Sequence, residues 1–214
     1  MLPFVVALAL TTSPGLAAIP SLGTGWTPAP PTQTAVFAGG CFWGVEGVFE
    51  HLKGVQSATS GYAGGTVASP TYEQVSSGAT GHAESVKVIF DPAQISYKQL
   101  LTVFFNVAHD PTELNRQGPD VGTQYRSIVF YSNDEQKQAA QEYMAELQAK
   151  KVFPKPIVTE LVPLKAFYLA EEYHQGYMQR HPYSPYIMYN DAPKVARLER
   201  EFPNLYREPI AIRK

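Results

Sequence analysis

The sequence predicts an α+β fold: a two-layer sandwich or roll whose mixed, mostly antiparallel sheet is of ferredoxin-like type. Three observations predict it. Apolar runs of strand length are interleaved with segments whose apolar residues recur at helical spacing. Their order reads β-α-β, then β-α-β-α, then β-α. No phosphate-loop or dinucleotide glycine fingerprint accompanies them, which counts against a nucleotide-binding parallel sheet.

The bulk composition suits one domain. The chain has 214 residues, 44% of them apolar, enough for a substantial core. A net charge of -2 without a basic run argues against nucleic acid or other polyanions as partners.

The elements follow in order. Leu2 to Leu10 is apolar but too short to span a bilayer as a helix. Small residues around Gly15 to Ala18 offer a cleavage site, although no Lys or Arg precedes the apolar run. Residues 1–18 are read as an export signal, which makes the protein exported and periplasmic; without a working signal it is cytoplasmic. Residues 19–33, rich in Pro, Gly and Thr, read as a linker or surface arm. The folded domain is expected over 34–205, with a tail at 206–214.

Thr34 to Ala38 predicts a buried strand, and Val45, Val48, Phe49 and Leu52 predict the helix after it. Val55 to Tyr62 reads as a strand, and Thr71 to Ser77 as a short helical turn or loop. Ala83 to Phe90 alternates as a strand, with Glu84, Val86, Val88 and Phe90 on one face. Ser96 is set to cap a helix through Val107. His109 to Thr123 is a long polar loop, of a length that is usually either functional or disordered. Tyr125 to Tyr131 is a strand, and Asn133 or Asp134 caps an amphipathic helix to Lys150. Ile157 to Val162 is a strand, Phe167 to His181 a helix, and Pro193 to Arg200 a short helical stretch.

The chain turns on Gly39-Gly40-Cys41-Phe42-Trp43-Gly44, which holds its only cysteine. Strand, two glycines, cysteine, helix is an order that sets a thiol at a helix N-terminus. Free N–H groups and the positive end of the dipole there favour a thiolate, which is the nucleophilic form. Phe42 and Trp43 offer an apolar wall.

Three chemistries can use such a thiol. A metal is disfavoured, because the five histidines have unrelated spacings and there is no second cysteine. A cysteine hydrolase needs a histidine base, for which His82, His109 and His174 are candidates. Redox chemistry needs a neutral proton donor if the substrate is a sulfoxide. Glu84, on the apolar face of its strand, could remain protonated through burial. Tyr72 and Tyr125 could donate hydrogen bonds, and Asp120 could orient one of them. A binding module without turnover is a further alternative.

The motifs also carry a family resemblance. Gly40-Cys41-Phe42-Trp43-Gly44 with Glu46, Gly61 to Gly65, Pro70-Thr71-Tyr72, and Gly81-His82-Ala83-Glu84 occur in series. His109-Asp110-Pro111, Gln117 to Ser127, and Ala170 to Gln175 follow. Together, over Thr34 to Leu205, they resemble peptide methionine sulfoxide reductase of the A type. The resemblance implies attack of Cys41 on the sulfur of methionine S-sulfoxide, free or in a peptide. It further implies proton donation by Glu84 and hydrogen bonds from Tyr72 and Tyr125. Phe42 and Trp43 would hold the methyl group. Asp120 and His109 fall in the substrate-binding set, with Asp120 on the backbone amine or steadying the tyrosines. No metal or bound cofactor is implied. Relatives that carry C-terminal cysteines resolve the sulfenic acid as a disulfide. Here that region, Tyr183 to Asn190, has none. An external thiol reductant, thioredoxin-like, glutaredoxin-like or a small thiol, is therefore expected to regenerate Cys41.

Overall fold

In the computed structural model, which describes residues 31–209, the glycine-flanked cysteine lies between the central strand of a sheet and the first helix against it. The expected export signal, nearly all of the linker and the last residues of the tail lie outside the described residues.

Strand β1 (Gln33–Gly39) leads into helix α1 (Phe42–Glu50), then β2 (Val55–Ala63), the short helix α2 (Tyr72–Ser76) and β3 (Ala83–Phe90). Helix α3 (Tyr97–Val103) begins at Ser96, whose hydroxyl and Gln99 form a reciprocal capping box. Its continuation Phe104–Ala108 widens to a π turn. There His109 Nδ1 bonds back to the Phe104 carbonyl at 2.8 Å, the kind of side-chain insertion that loosens a helix end. A two-residue hairpin, β4 (Arg116–Gln117) and β5 (Asp120–Val121), sits inside the long polar loop. Then come β6 (Ser127–Tyr131), α4 (Asp134–Ala149), β7 (Glu160–Pro163), β8 (Phe167–Leu169), α5 (Tyr177–Arg180) and α6 (Ala192–Glu201). Asn133 caps α4 by accepting the Gln136 N–H at 2.8 Å.

The sheet order is β7-β6-β1-β3-β2-β8. Its inner four strands, β6-β1-β3-β2, are antiparallel neighbours in the ferredoxin-like arrangement. Only the β6–β7 pair of this sheet is parallel. Period-2 alternation splits the two faces. Ala35, Phe37, Val86, Val88 and Phe90 join the large core beneath the helices, while Val36, Ala38, Ala83 and Ile128 form a smaller cluster on the other face. Phe37 anchors the larger core, stacking on Phe49 at 5.2 Å and on Phe104 at 4.8 Å.

Three expected elements change. The helix expected over Phe167 to His181 breaks into β8, a 3-10 turn (Glu172–His174) and α5. Its backbone groups bond across to β2 instead of along a helix: Ala170 N–H reaches the Ser60 carbonyl at 3.0 Å. Gln175 then clamps both main-chain groups of Ser60, each at 3.0 Å. The strand expected from Ile157 starts only at Glu160, since Val158 N–H is taken by the Pro111 carbonyl. Thr123–Tyr125 is a 3-10 turn, and the strand after it starts at Ser127. At the C-terminal end Tyr206 bridges Leu52, and Arg207 N–H bonds the His51 carbonyl.

Candidate active site

Cys41 is the N-cap of α1 and is 8% exposed. Two glycines shape its setting. Gly40 has φ +92°, and a Cβ there would meet Gln117 Cβ at 2.5 Å. Gln117 is itself buried and spans Asp110, donating to its carbonyl at 2.5 Å and accepting its N–H at 3.0 Å. The polar loop is thereby pressed onto the cysteine turn. Gly44, in the first turn of α1, lets the C-terminal segment approach: a Cβ would lie 2.0 Å from Asp191 Oδ1. Gly44→Ala should therefore destabilise the protein by about 1–3 kcal/mol through overpacking, read as a lower melting temperature; an unchanged melt would show that Asp191 can retreat freely.

Glu84 lies in cross-strand register with Tyr62 and is 2% exposed. Its Oε2 accepts the N–H of Phe42, the residue after the cysteine, at 3.0 Å. Burial pushes its pKa up to about 8, with the nearby Asp120 and Asp191 adding to the rise and the Phe42 N–H opposing it. At neutral pH the carboxyl is mostly protonated.

The sulfur departs from expectation. The backbone N–H of Trp43 and the Tyr186 hydroxyl act to lower the pKa of the thiol, although neither makes a hydrogen bond of normal geometry to the sulfur. Burial, first, and then the Glu84 and Asp191 carboxyls outweigh them, so the pKa stands well above that of an ordinary thiol. The helix N-terminus does not produce a resting thiolate, because this sulfur has left water and has acidic neighbours.

Two tyrosines close on the same centre. Tyr72 opens α2, where Thr71 and Gln74 form a capping box and the Tyr72 N–H donates to Glu171 Oε1 at 2.8 Å. Glu171 Oε2 accepts from Tyr62 at 2.8 Å, tying α2 to β2. Tyr125 rides on a turn held by Gln124 Nε2 to the Ser76 carbonyl and by Arg126 to the Thr123 and Gly81 carbonyls. Burial foremost, and then the Glu84 charge, raises the pKa of both phenols, and the Cys41 charge is felt at each. Both are therefore neutral hydrogen-bond donors beside the thiol and the acid.

The aromatic wall of Phe42 and Trp43 is set in part by Tyr177 and Tyr186, which the sequence did not single out. Trp43 stacks on Tyr177 at 3.7 Å and meets the edge of Tyr186 at 5.8 Å. Its indole N–H donates to His174 Nδ1 at 3.1 Å, which fixes the proton of that neutral imidazole on Nε2. Phe42 is sealed at 1% exposure against Tyr62 and His174. Trp43, half-buried, is the ring left to face an entering group.

Asp120, Tyr186, Asn190, Lys194 and Cys41 line a cleft of about 240 Å³. The Tyr186 hydroxyl donates to Asp120 Oδ2. Asp191 is fully buried, paired to Lys194 at 3.1 Å, with its Oδ2 lacking a partner among the described residues. Tyr186 and Asp191 follow Cys41 by more than a hundred residues and carry no local signature of a site. A larger groove, about 610 Å³, lies at the end of α4 around Leu147, Phe153 and Ile157, away from Cys41 and Glu84, neither of which lines it.

His109 is corrected. Its Nδ1 bonds the Phe104 carbonyl at 2.8 Å and its Nε2 the Ser127 hydroxyl at 2.7 Å. Burial pushes its pKa down to about 4. Both nitrogens are spent on the framework, so it serves as neither a substrate ligand nor a base. The other candidate bases are engaged as well. His82 bonds the Gly65 N–H and the Val67 carbonyl, and His174 holds Trp43. A cysteine hydrolase lacks its base here. Among the described residues no group of three or more His, Cys, Asp or Glu could hold a metal ion, and no helix is long and apolar enough to cross a membrane.

Comparison with known proteins bears on this geometry. A family model described as peptide methionine sulfoxide reductase matches residues 33–205. The chain is similar to peptide methionine sulfoxide reductase MsrA 2 of Mesorhizobium japonicum, 57% identical over 185 residues, covering 86% of this chain and 95% of the relative. Among solved structures, it resembles reduced Mxr1 from Saccharomyces cerevisiae, with TM-score 0.65 and 35% identity over 72% of this chain and 87% of that one. Methionine sulfoxide reductase A of Corynebacterium diphtheriae gives TM-score 0.64 and 36% identity over 73% and 79%.

Proposed function

The chain belongs to the peptide methionine sulfoxide reductase family, and from that premise we propose how its own residues reduce methionine sulfoxide. The protein is an oxidoreductase. The observation that carries the residue assignment is the Phe42 N–H bond to Glu84, which holds a protonated acid one residue from the nucleophile.

Cys41, once its thiol proton has passed to solvent, attacks the sulfoxide sulfur of the S epimer, while Tyr72 and Tyr125 hydrogen-bond its oxygen. Glu84 gives that oxygen its proton and becomes a carboxylate. The hydroxyl passes to Cys41 and the bond to the substrate sulfur breaks. Methionine leaves reduced by two electrons, and Cys41 is oxidised by two to the sulfenic acid. Trp43, with Phe42 behind it, takes the methyl group. Asp120 holds the substrate backbone amine.

The sequence has one cysteine, so no disulfide can form within the chain. An external thiol, from a dithiol protein of thioredoxin or glutaredoxin type or from a small thiol, attacks the sulfenic sulfur and expels water. The apolar run at Leu2 to Leu10 supports export to the periplasm, where the enzyme would repair oxidised proteins.

The test is a single turnover without reductant on methionine S-sulfoxide. One methionine should be released per chain, with one oxygen added to Cys41 by mass; no release would refute the assignment. Trp43→Ala should raise KM about tenfold while changing kcat less, because a methyl pocket contributes mainly uniform binding of about 1–2 kcal/mol. An unchanged KM would remove Trp43 from the methyl site.

A further inference from the structure

We propose that His174 is a positioning residue of this reaction: it fixes Trp43 relative to Tyr72 and so restricts the alkyl group on the sulfoxide sulfur to methyl. The inference rests on the reductase reading, with Trp43 at the methyl group and Tyr72 at the oxygen.

Stacking and hydrogen bonding hold Trp43 in different ways. Tyr177 lies against the indole at 3.7 Å between centroids, with 8° between the planes. Such a stack fixes the plane of the ring but lets it slide and turn within that plane. The bond from the indole N–H to His174 Nδ1, 3.1 Å long, is directional and removes that freedom.

His174 is itself tightly held. Its backbone N–H bonds the Glu171 carbonyl at 2.9 Å, closing the 3-10 turn Glu172–His174. Its ring is 2% exposed, with its centroid 4.9 Å from that of Phe42 and 4.5 Å from that of Tyr72. The Glu171 carboxylate, at the head of the same turn, accepts the Tyr72 N–H at 2.8 Å. One turn therefore sets both the methyl wall and the tyrosine that meets the oxygen. The imidazole is the spacer between them.

The second ring nitrogen supports the same role. With Nδ1 accepting, the proton is on Nε2, which is buried without a partner among the described residues. An unpaired buried donor is destabilising, and an apolar side chain would fill the space without it. What an apolar side chain lacks is the acceptor for Trp43.

The experiment offers each protein an equal mixture, in excess, of N-acetylated, amidated methionine S-sulfoxide and its ethionine counterpart, without reductant. The ratio of the two reduced products after one turnover gives the ratio of kcat/KM values. It does not depend on how much of a variant is folded. Wild type should favour methyl over ethyl by about tenfold or more, the effect of one methylene in an apolar pocket. His174→Leu should cut that preference by about fivefold or more. His174→Asn, whose Oδ1 can replace Nδ1 as acceptor, should keep it. Trp43→Ala should also lose the preference, and adding His174→Leu to it should change nothing further. No methyl preference in wild type, or full preference in His174→Leu or Trp43→Ala, would overturn the positioning role. Equal loss in His174→Leu and His174→Asn, or a further loss in the double variant, would do the same. All of these leave the reductase reading standing. A wild type that releases neither product takes down both.

Discussion

Glu84→Gln is expected to slow first-turnover methionine release by about 10²–10⁴-fold at neutral pH. Glutamine keeps the size of the side chain and can still accept the Phe42 N–H, but it has no acidic proton for the leaving oxygen. The pH dependence has a definite sign. The acid form is the active one, so wild-type rate should fall as pH rises through about 8, where Glu84 ionises. Stability moves with it. The folded-state pKa lies above the ordinary carboxyl value of about 4.5, so ionisation of Glu84 favours the unfolded chain, and stability is lost as pH rises from about 4.5 toward 8. Glu84→Gln abolishes this linkage and should melt no lower than wild type at pH 7.5. An inactive variant that also melts far below wild type would point to a structural role for Glu84; full activity at neutral pH would end its assignment as proton donor.

Cys41→Ala is expected to abolish reduction, with no residual turnover under any reductant. No second sulfur in cysteine form exists in the chain to substitute. Wild type without reductant should stop after one methionine and run as a species with oxygen on Cys41 rather than as an internal disulfide. Substrate binding by Cys41→Ala can survive, since Trp43 and the tyrosines remain. Methionine release by that variant would sink the nucleophile assignment, and binding without release by wild type would favour a non-catalytic module. Restarting turnover with a small thiol and with dithiol proteins, compared side by side, identifies the reductant class.

Much of the framework could be read from local sequence. Alternation over Ala83 to Phe90 put Glu84 on the face with Val86 and Val88, and the structure buries that face. Ser96 and Asn133 announced their helices, because a cap is a contact between residues a few positions apart. The failures share one cause. Phe167 to His181 has helical spacing, yet its backbone satisfies itself on the edge of β2, more than a hundred residues away. His109 lies in a motif of functional appearance, but its ring is consumed by Phe104 and Ser127.

The sequence by itself determined that the one cysteine stands at the head of a helix, that Glu84 lies on the apolar face of its strand, and that no disulfide can form within the chain. Those depend on residue identity, on the strand period of two and on a cysteine count of one. The protonation states were decided only by the tertiary structure. Burial, with Asp120 and Asp191 nearby, holds Glu84 as an acid, and burial, with Glu84 and Asp191 nearby, holds Cys41 as a thiol. Tyr186 is brought to the cleft that Cys41 lines as Asp191 and Lys194 of the C-terminal segment pack against Gly44. Desolvation and charge proximity depend on three-dimensional distance, which local pattern does not encode.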